Sequence, residues 1–505
     1  MESFPWLTTL IVLPALAALV IAVVPQAKTN GRAIALGVSV IELVIAIAAA
    51  TTFSYDTPAA IQLQEQAAWI PQIGVSWALG VNALGLVMIL LALALVPLVL
   101  LAWRDTDAIT DASAGGYAAL VLALASCMVA IFAARDLFLF YVVFEVMLLP
   151  VYFLVGRYGG EKRRRAAIKF ILYSLAGGLI MLVGVIAIYF AGPGGAEGFL
   201  IDNLVGAKMT TGTEMAIFIS FFIAFAIKAP MVPVHTWLPD TAEAAPAGTS
   251  VLLVGILDKV GTFGMIMLCL PLFPTAAATA APVIVTLAVI SIIWGGLMAI
   301  AERDLLRLVS YTSVSHFGFI VMGIFIGSSV AMTGAMVYMV AHGITTAAMF
   351  FAVGFLGRRG QSVAITDYSG MQRTTPVLAG LFLFSGLASI ALPGLSGFVP
   401  EYMVLMGSFG ANIWAGSFAV LGVIIAALYV LLPYQRVFTG AEDRARLATT
   451  DDLDSSEKFI MTPLVVAMVI FGVLPALLIG PLTPVAEQTT ITTNATIHAV
   501  ERSTQ

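Results

Sequence analysis

The feature that most constrains this sequence is a series of apolar stretches of about 20 residues that contain very few charges. We count fourteen of them, near residues 4–24, 33–53, 82–103, 115–133, 136–156, 167–190, 214–234, 247–270, 277–301, 305–326, 330–356, 376–408, 412–436 and 459–482. A stretch of this length spans the hydrocarbon core as a helix, because in lipid every backbone polar group needs a partner within the chain. The sequence therefore predicts an all-α integral membrane protein with about 14 transmembrane helices.

The overall composition agrees with this class and excludes others. The 505 residues are 61% apolar and 10% charged, whereas soluble domains are about 45–50% apolar and about 25% charged. No long basic stretch is interleaved with aromatic residues, which argues against nucleic-acid binding. Cys127 and Cys269 lie far apart in apolar runs, and no glycine-rich phosphate loop is present. We therefore expect no cofactor and no metal ion on this chain.

The distribution of lysine and arginine predicts the orientation. Eighteen of these residues lie in connections that follow odd-numbered spans, three lie on the other side, and Lys228 and Lys259 lie inside spans. Because cytoplasmic loops carry the excess of lysine and arginine, we expect both termini on the outer side. The connection at 54–81 alternates polar and apolar residues around Pro71 and Gly74, which predicts an external β-hairpin. Residues 437–458 are expected to form a cytoplasmic loop.

Proline interrupts two of the predicted spans, which are five spans apart. Span seven contains Pro230 and Pro233, and span twelve contains Pro393-Gly394 and Pro400. Paired, proline-interrupted spans in matching halves are typical of transporters built from inverted repeats. We therefore predict two inverted five-helix repeats, each with a broken helix. The predicted divisions are residues 1–110 (spans 1–3), 111–274 (spans 4–8), 275–440 (spans 9–13) and 441–505 (loop, span 14 and outer tail).

Ionisable residues inside the spans are the candidates for function. Each costs at least about 2.5–3.5 kcal/mol at the membrane centre, yet six different spans carry one: Glu145, Lys228, Lys259, His316, His342 and Glu401. A single pair could hold helices together, and a single histidine could be a packing residue. The whole set exceeds what packing requires, and these residue types exchange protons, which favours a proton pathway. Four polar neighbours are candidate modulators: Tyr141, His235, Asp258 and Tyr338.

Five segments resemble the antiporter-like membrane subunits of respiratory complex I, and the resemblance runs from about residue 60 to 440. They are FYVVFEVMLLPVY, AIKAPMVPVHTWLPDTAEAAPAGTSVLLVGILDKVGTFG, AERDLLRLVSYTSVSHFGF, YMVAHGITTAAMFF and ALPGLSGFVPEYMVLMGSF. Within this family the chain is most similar to the M-type members, the counterparts of mitochondrial subunit four. Glu401 stands where L-type and N-type members are expected to have lysine, and we expect no long lateral helix of the L type.

The resemblance implies a role for each candidate. Glu145 would modulate Lys228, the pump lysine, and Lys259 would be the central connecting lysine. The two histidines would continue a hydrated axis that ends at Glu401. Other chains would hold the flavin, the iron–sulfur clusters and the quinone site. This chain would then be a proton-translocating subunit of NADH–quinone oxidoreductase in a bacterial inner membrane, with L-like and N-like subunits on either side.

The sequence departs from the family pattern at three positions. Leu306 replaces a lysine before span ten, Asn82 stands where aspartate is common, and Asp258 precedes Lys259 where an apolar residue is usual. Three other functions stay open. The chain could belong to a related cation/proton antiporter complex or to a membrane hydrogenase, or it could be a non-conducting structural subunit.

Overall fold

The computed structural model describes residues 4–103, 111–440 and 451–504 and consists of long helices and one hairpin. The main helices are α1 (Trp6–Val23), α2 (Gly31–Thr52), α3 (Ala83–Ala102), α4 (Asp111–Ala133), α5 (Leu137–Tyr158), α6 (Arg163–Ala191), α7 (Thr211–Lys228), α8 (Trp237–Ala244), α9 (Ala247–Leu272), α10 (Pro274–Ala301), α11 (Leu305–Phe325), α12 (Ser329–Gly360), α13 (Pro376–Ser389), α14 (Phe398–Ala411), α15 (Ile413–Phe438), α16 (Ser455–Val473) and α17 (Ala476–Thr504). Short helices at Pro25–Thr29 and Ile201–Leu204 lie in connections. The all-α membrane class is confirmed.

Both predicted breaks are present. Span seven stops at Lys228 and resumes at Trp237, and the break contains a cis Val232–Pro233 peptide bond. Span twelve is replaced by α13 and α14, which are 14 residues each. Within the described residues, 13 helices are long and apolar enough to cross a membrane. The predicted number of fourteen therefore depends on counting α13 and α14 as one span.

The predicted hairpin is also present. Strands β1 (Gln62–Ile70) and β2 (Val75–Val81) pair antiparallel, with Ile70 opposite Val75 and Ala67 opposite Trp77. Gly74 occupies the turn at φ 73°, a left-handed conformation that glycine adopts without strain. The Glu65 side chain accepts hydrogen bonds from the backbone N–H groups of Leu7 and Thr8, so the hairpin caps the start of α1.

The C-terminal region differs from the prediction. Span fourteen was expected to continue to residue 482, but α16 ends at Val473 and a separate helix, α17, follows. The residue before a proline disfavours the helical conformation, and Leu474 before Pro475 has φ −120° and ψ 57°. The predicted outer tail is thus helical as far as Thr504. Part of the predicted loop at 437–458, residues 441–450, lies outside the described residues.

A matching arrangement occurs at the start of α5 and at the start of α11. Asp136 caps α5 by accepting from Phe138 and Leu139, and its backbone bridges to the segment around Leu200. Asp304 caps α11 in the same way, and its backbone bridges to Ala364. Each helix start thus pairs with the connection that precedes a broken span. Two repeats would produce this correspondence, and their predicted boundaries remain a prediction.

Candidate functional site

Glu145 lies at an irregular point of α5. The regular helix ends at Val146 and begins again at Leu148, because Pro150 cannot donate to the carbonyl of Val146. The Oε1 atom of Glu145 is buried without a hydrogen-bond partner, and it lies against Gly178 of α6. Any Cβ at position 178 would overlap this oxygen. The glycine therefore leaves room for the carboxylate.

Lys228 is the last residue of α7 and is 2% exposed. Its Nζ lies 5.2 Å from the ring centre of Phe144 and 5.5 Å from that of Phe170, a distance at which a cation is attracted to an aromatic face. It also interacts electrostatically with Glu145. The lysine thus points toward α5 and α6, where the predicted modulating carboxylate lies.

Helix α9 contains two wide, π-helical turns, at Leu253–Leu257 and Met265–Cys269. The first turn presents the Val254 carbonyl to the Nζ of Lys259, which donates to it at 2.6 Å. Turns of this kind occur often at functional sites. Lys259 is fully buried, and its Nζ also lies 2.7 Å from Nδ1 of His342 on α12.

Two histidines and a tyrosine continue from Lys259. The rings of His342 and His316 are 5.3 Å apart between centres, and both residues are at most 2% exposed. The Nε2 of His316 lies 3.0 Å from the hydroxyl of Tyr429 on α15. His342 Nε2 and His316 Nδ1 are buried and have no hydrogen-bond partner. Both rings therefore keep one nitrogen free for a proton or a water molecule.

Glu401 lies at the far end of this series, in the first turn of α14 after the second break. Its Oε2 accepts a hydrogen bond of 2.6 Å from the hydroxyl of Tyr338, and both side chains are buried. The ring centre of Tyr338 is 5.8 Å from that of His316. A series of neighbouring polar side chains thus runs from α9 to α14: Lys259, His342, His316, Tyr338 and Glu401.

Two of the three remaining candidate modulators, Tyr141 and His235, lie away from this series. Tyr141 is half-buried on α5, and its ring centre lies 6.2 Å from that of Phe138. His235 is buried within the break of span seven, and its Nδ1 has no hydrogen-bond partner. The ring of His235 lies 6.1 Å from that of Tyr311 on α11.

A cluster of ion pairs connects α8 with α6 and α11. Arg307 binds Asp240 at 2.6 Å and Glu243 at 3.0 Å, and Lys169 binds the other oxygen of Asp240 at 2.7 Å. The adjacent Leu306, where the resemblance led us to expect lysine, is buried. Arg307 therefore supplies the cationic contact to α8 at this helix start.

The other two departures from the family pattern also have defined places. Asn82 caps α3 by accepting from the N–H of Gly85. Asp258 is 0% exposed, and neither of its carboxylate oxygens has a hydrogen-bond partner.

Sequence reasoning missed Tyr429, because a tyrosine in an apolar span carries no distinctive signal. It also did not single out Glu42, an acid of α2 that is 0% exposed with both oxygens unpartnered and that lies outside the buried polar series. Glu42 could have been identified from the sequence as a single acid within an apolar stretch.

Comparisons with known proteins show which family this chain resembles. The family model described as NADH:quinone oxidoreductase/Mrp antiporter, TM matches residues 134–426. A Mycobacterium tuberculosis protein named NADH-quinone oxidoreductase subunit M is 39% identical, over 97% of this chain and 95% of that protein. A Rhodobacter capsulatus protein of the same name is 36% identical, over 93% of this chain and 94% of that protein.

Two solved structures have similar chains. One chain of respiratory complex I from Thermus thermophilus with bound NADH matches with a TM-score of 0.86 at 30% identity, over 96% of this chain and 99% of that chain. A chain of the Mrp complex from Dietzia sp. DQ12-45-1b matches with a TM-score of 0.83 at 22% identity, over 97% and 99% of the two chains. The second likeness is one of fold.

Proposed function

Because this chain belongs to the NADH:quinone oxidoreductase/Mrp antiporter family of membrane subunits, we propose that it is the M-type, proton-translocating subunit of an NADH–quinone oxidoreductase. The observation that carries the proton-translocating role is the buried series from Lys259 to Glu401. At one end of the series Lys259 lies 2.7 Å from His342, and at the other end Tyr338 donates to Glu401 at 2.6 Å. Both contacts join side chains that gain and lose protons. Names of near full-length relatives support the assignment to this enzyme.

In this proposal a proton is held first by Lys228 and passes to Lys259, His342, His316 and finally Glu401. Glu145 keeps Lys228 protonated while their charges are close, since an opposite charge favours the charged form. When the two separate, the buried ammonium loses this stabilisation and releases its proton. Water bound to the free histidine nitrogens would bridge the gap between the two rings.

The energy for transport would come from redox chemistry elsewhere in the enzyme. We propose that flavin, iron–sulfur clusters and quinone are held by other subunits and that this chain has no redox centre. Among the described residues, no group of three or more His, Cys, Asp or Glu side chains is arranged to hold a metal ion. The role of this chain is then to change the affinity of its buried groups for protons.

The chain functions among other membrane subunits, as its relatives in solved complexes do. We propose that L-like and N-like subunits lie on either side of it in a bacterial inner membrane. The lysine and arginine distribution supports a topology with both termini on the outer side. Exposed apolar side chains on α2, such as Ile41, Val44 and Ile47, provide surface for lipid or for such neighbours.

The test is proton pumping by the assembled enzyme in sealed vesicles. Glu145→Gln and Lys228→Ala should each reduce the pumping rate strongly, while NADH oxidation with an artificial electron acceptor stays normal. A structural subunit would tolerate both changes, so normal pumping in assembled enzyme would contradict the proposal. The subunits that co-purify in mild detergent distinguish this enzyme from an antiporter complex or a hydrogenase.

A further inference from the structure

The proposed pathway also has a gap between Lys228 and Lys259, which none of the residues named in it fills. Lys228 points toward α5 and α6, with its Nζ above the rings of Phe144 and Phe170. Lys259 points toward α12, where it contacts His342. The two lysines therefore face away from each other, and a proton that leaves one needs an intermediate group to reach the other.

Asp258 lies on the side of α9 that meets span seven. Gly261 is one turn further along this helix, and a Cβ there would lie 2.5 Å from the Phe225 carbonyl oxygen and 2.6 Å from the Ala229 nitrogen. The backbones of α9 and the end of α7 thus approach closely at this point. Residues three apart share a helix face, so Asp258 lies beside the start of the break that follows Lys228.

The carboxylate of Asp258 also makes no hydrogen bond. Both oxygens are buried without a hydrogen-bond partner, and the group interacts electrostatically with both Lys259 and Lys228. A carboxyl group buried without a donor costs free energy, so its presence needs an explanation, and for a group between two lysines proton transfer supplies one. The first π-helical turn of α9 ends at Leu257, directly before Asp258, whose N–H donates to the carbonyl of Leu253.

We propose that Asp258 is a proton carrier between Lys228 and Lys259. In the first step the ammonium of Lys228 gives a proton to the carboxylate of Asp258, which leaves a neutral amine and a neutral carboxylic acid. In the second step the carboxylic acid gives that proton to the neutral amine of Lys259. The carboxylate is regenerated, and one proton has moved from α7 to α9. This inference rests on the proposed function and names an additional residue in its pathway.

The experiment compares variants of Asp258 in the assembled enzyme in sealed vesicles. Asp258→Asn keeps the shape and loses the ionisable carboxyl group, so the pumping rate should fall roughly tenfold or more, as for other positioned proton-transfer groups. The pumping rate of Asp258→Leu should fall similarly, whereas Asp258→Glu keeps a carboxyl group and should retain most of the wild-type rate. NADH oxidation with an artificial acceptor and the size of the complex on a native gel measure assembly. Leucine places no polar group at this buried position, so this variant should assemble even where asparagine does not.

Glu42 offers a matched control. It is another fully buried carboxyl with unpartnered oxygens, but it lies on α2, which packs against α1, α3 and α4. Glu42→Gln should therefore leave pumping unchanged. Normal pumping by an assembled Asp258→Asn or Asp258→Leu enzyme would overturn the carrier role. If Lys228→Ala abolished pumping in the same assay, the proposed function would stand and this inference alone would fall. If Lys228→Ala also pumped normally, the proposed function would fail as well.

Discussion

The Nζ of Lys259 lies 2.7 Å from the Nδ1 of His342, which joins α9 to α12 at the start of the buried polar series. The second contact of this amine is the Val254 carbonyl, which accepts hydrogen bonds and cannot take up a proton under biological conditions. In the proposed pathway, His342 is therefore the group to which Lys259 passes its proton. The unpartnered Nε2 of the same ring lies on a side chain that packs against His316.

The first prediction concerns this contact. His342→Ala removes the acceptor of Lys259 and should reduce the proton-pumping rate severalfold, without loss of assembly. Thr345→Val on the same helix is the control, because the Thr345 hydroxyl donates only to backbone carbonyls of its own helix. Pumping by both variants is measured in sealed vesicles with NADH as substrate. Equal pumping by the two variants would count against the pathway from α9 to α12.

The second prediction concerns the end of the series. Tyr338→Phe removes the hydroxyl that donates to Glu401 at 2.6 Å. A hydrogen bond to a charged group contributes about 1.5–3 kcal/mol, so its loss is large enough to change the proton affinity of Glu401 at least tenfold. We expect slower pumping and a displaced pH optimum. Tyr402→Phe, also on α14 but half exposed, should leave both unchanged. An unaltered pH profile in Tyr338→Phe would show that Tyr338 takes no part in proton transfer.

The third prediction uses a glycine. The Cβ of Gly178→Ala would overlap Oε1 of Glu145, so the carboxylate must move from its place against α6. The pumping defect should resemble that of Glu145→Gln. Gly37→Ala is the control, since a Cβ at that position meets no other atom within 4 Å. Pumping that is normal in Gly178→Ala and impaired in Glu145→Gln would show that the carboxylate works from another position.

The fourth prediction concerns the cap of α11. Burial raises the pKa of Asp304 to about 6, and the nearby Glu243 adds to the rise. The native chain therefore binds this proton more tightly than the unfolded chain does. The contribution of Asp304 to the free energy of unfolding should decrease as the pH rises from about 4, the usual aspartate value, to about 6.

Asparagine keeps the cap and does not ionise. The melting temperature of Asp304→Asn in detergent should therefore exceed that of the wild type most clearly above pH 6, and the difference should shrink as the pH falls toward 4. Asp56→Asn, an exposed position in the connection before β1, should match the wild type throughout. A constant difference between Asp304→Asn and the wild type at every pH would mean that titration of Asp304 does not affect stability.

Most of the architecture could be predicted from local sequence. The hydrophobic stretches predicted nearly every helix. The prolines in spans seven and twelve predicted both breaks, because a proline removes a backbone hydrogen-bond donor in any helix. The predicted end of span fourteen was wrong, because the apolar stretch continues past Pro475 although the helix ends at Val473.

Less of the candidate site could be predicted. Charge in an apolar run identified Lys259, His342 and Glu401, since burying a charge is costly in any fold. Tyr429 carried no such signal, because a tyrosine is common in membrane helices. The departure at Leu306 could be interpreted only once Arg307 was seen to bind Asp240 and Glu243.

The sequence alone determined that this chain lies in a membrane, that spans seven and twelve break, and that six spans carry a candidate proton-exchanging group. It could do so because hydropathy, proline chemistry and the cost of a buried charge are properties of single residues and their near neighbours. Only the tertiary structure decided that Lys259 meets His342, that Tyr338 meets Glu401, and that Asp258 lies beside the break after Lys228. Helical periodicity assigns a side chain to a face, but the residue that it meets depends on how distant helices cross and rotate.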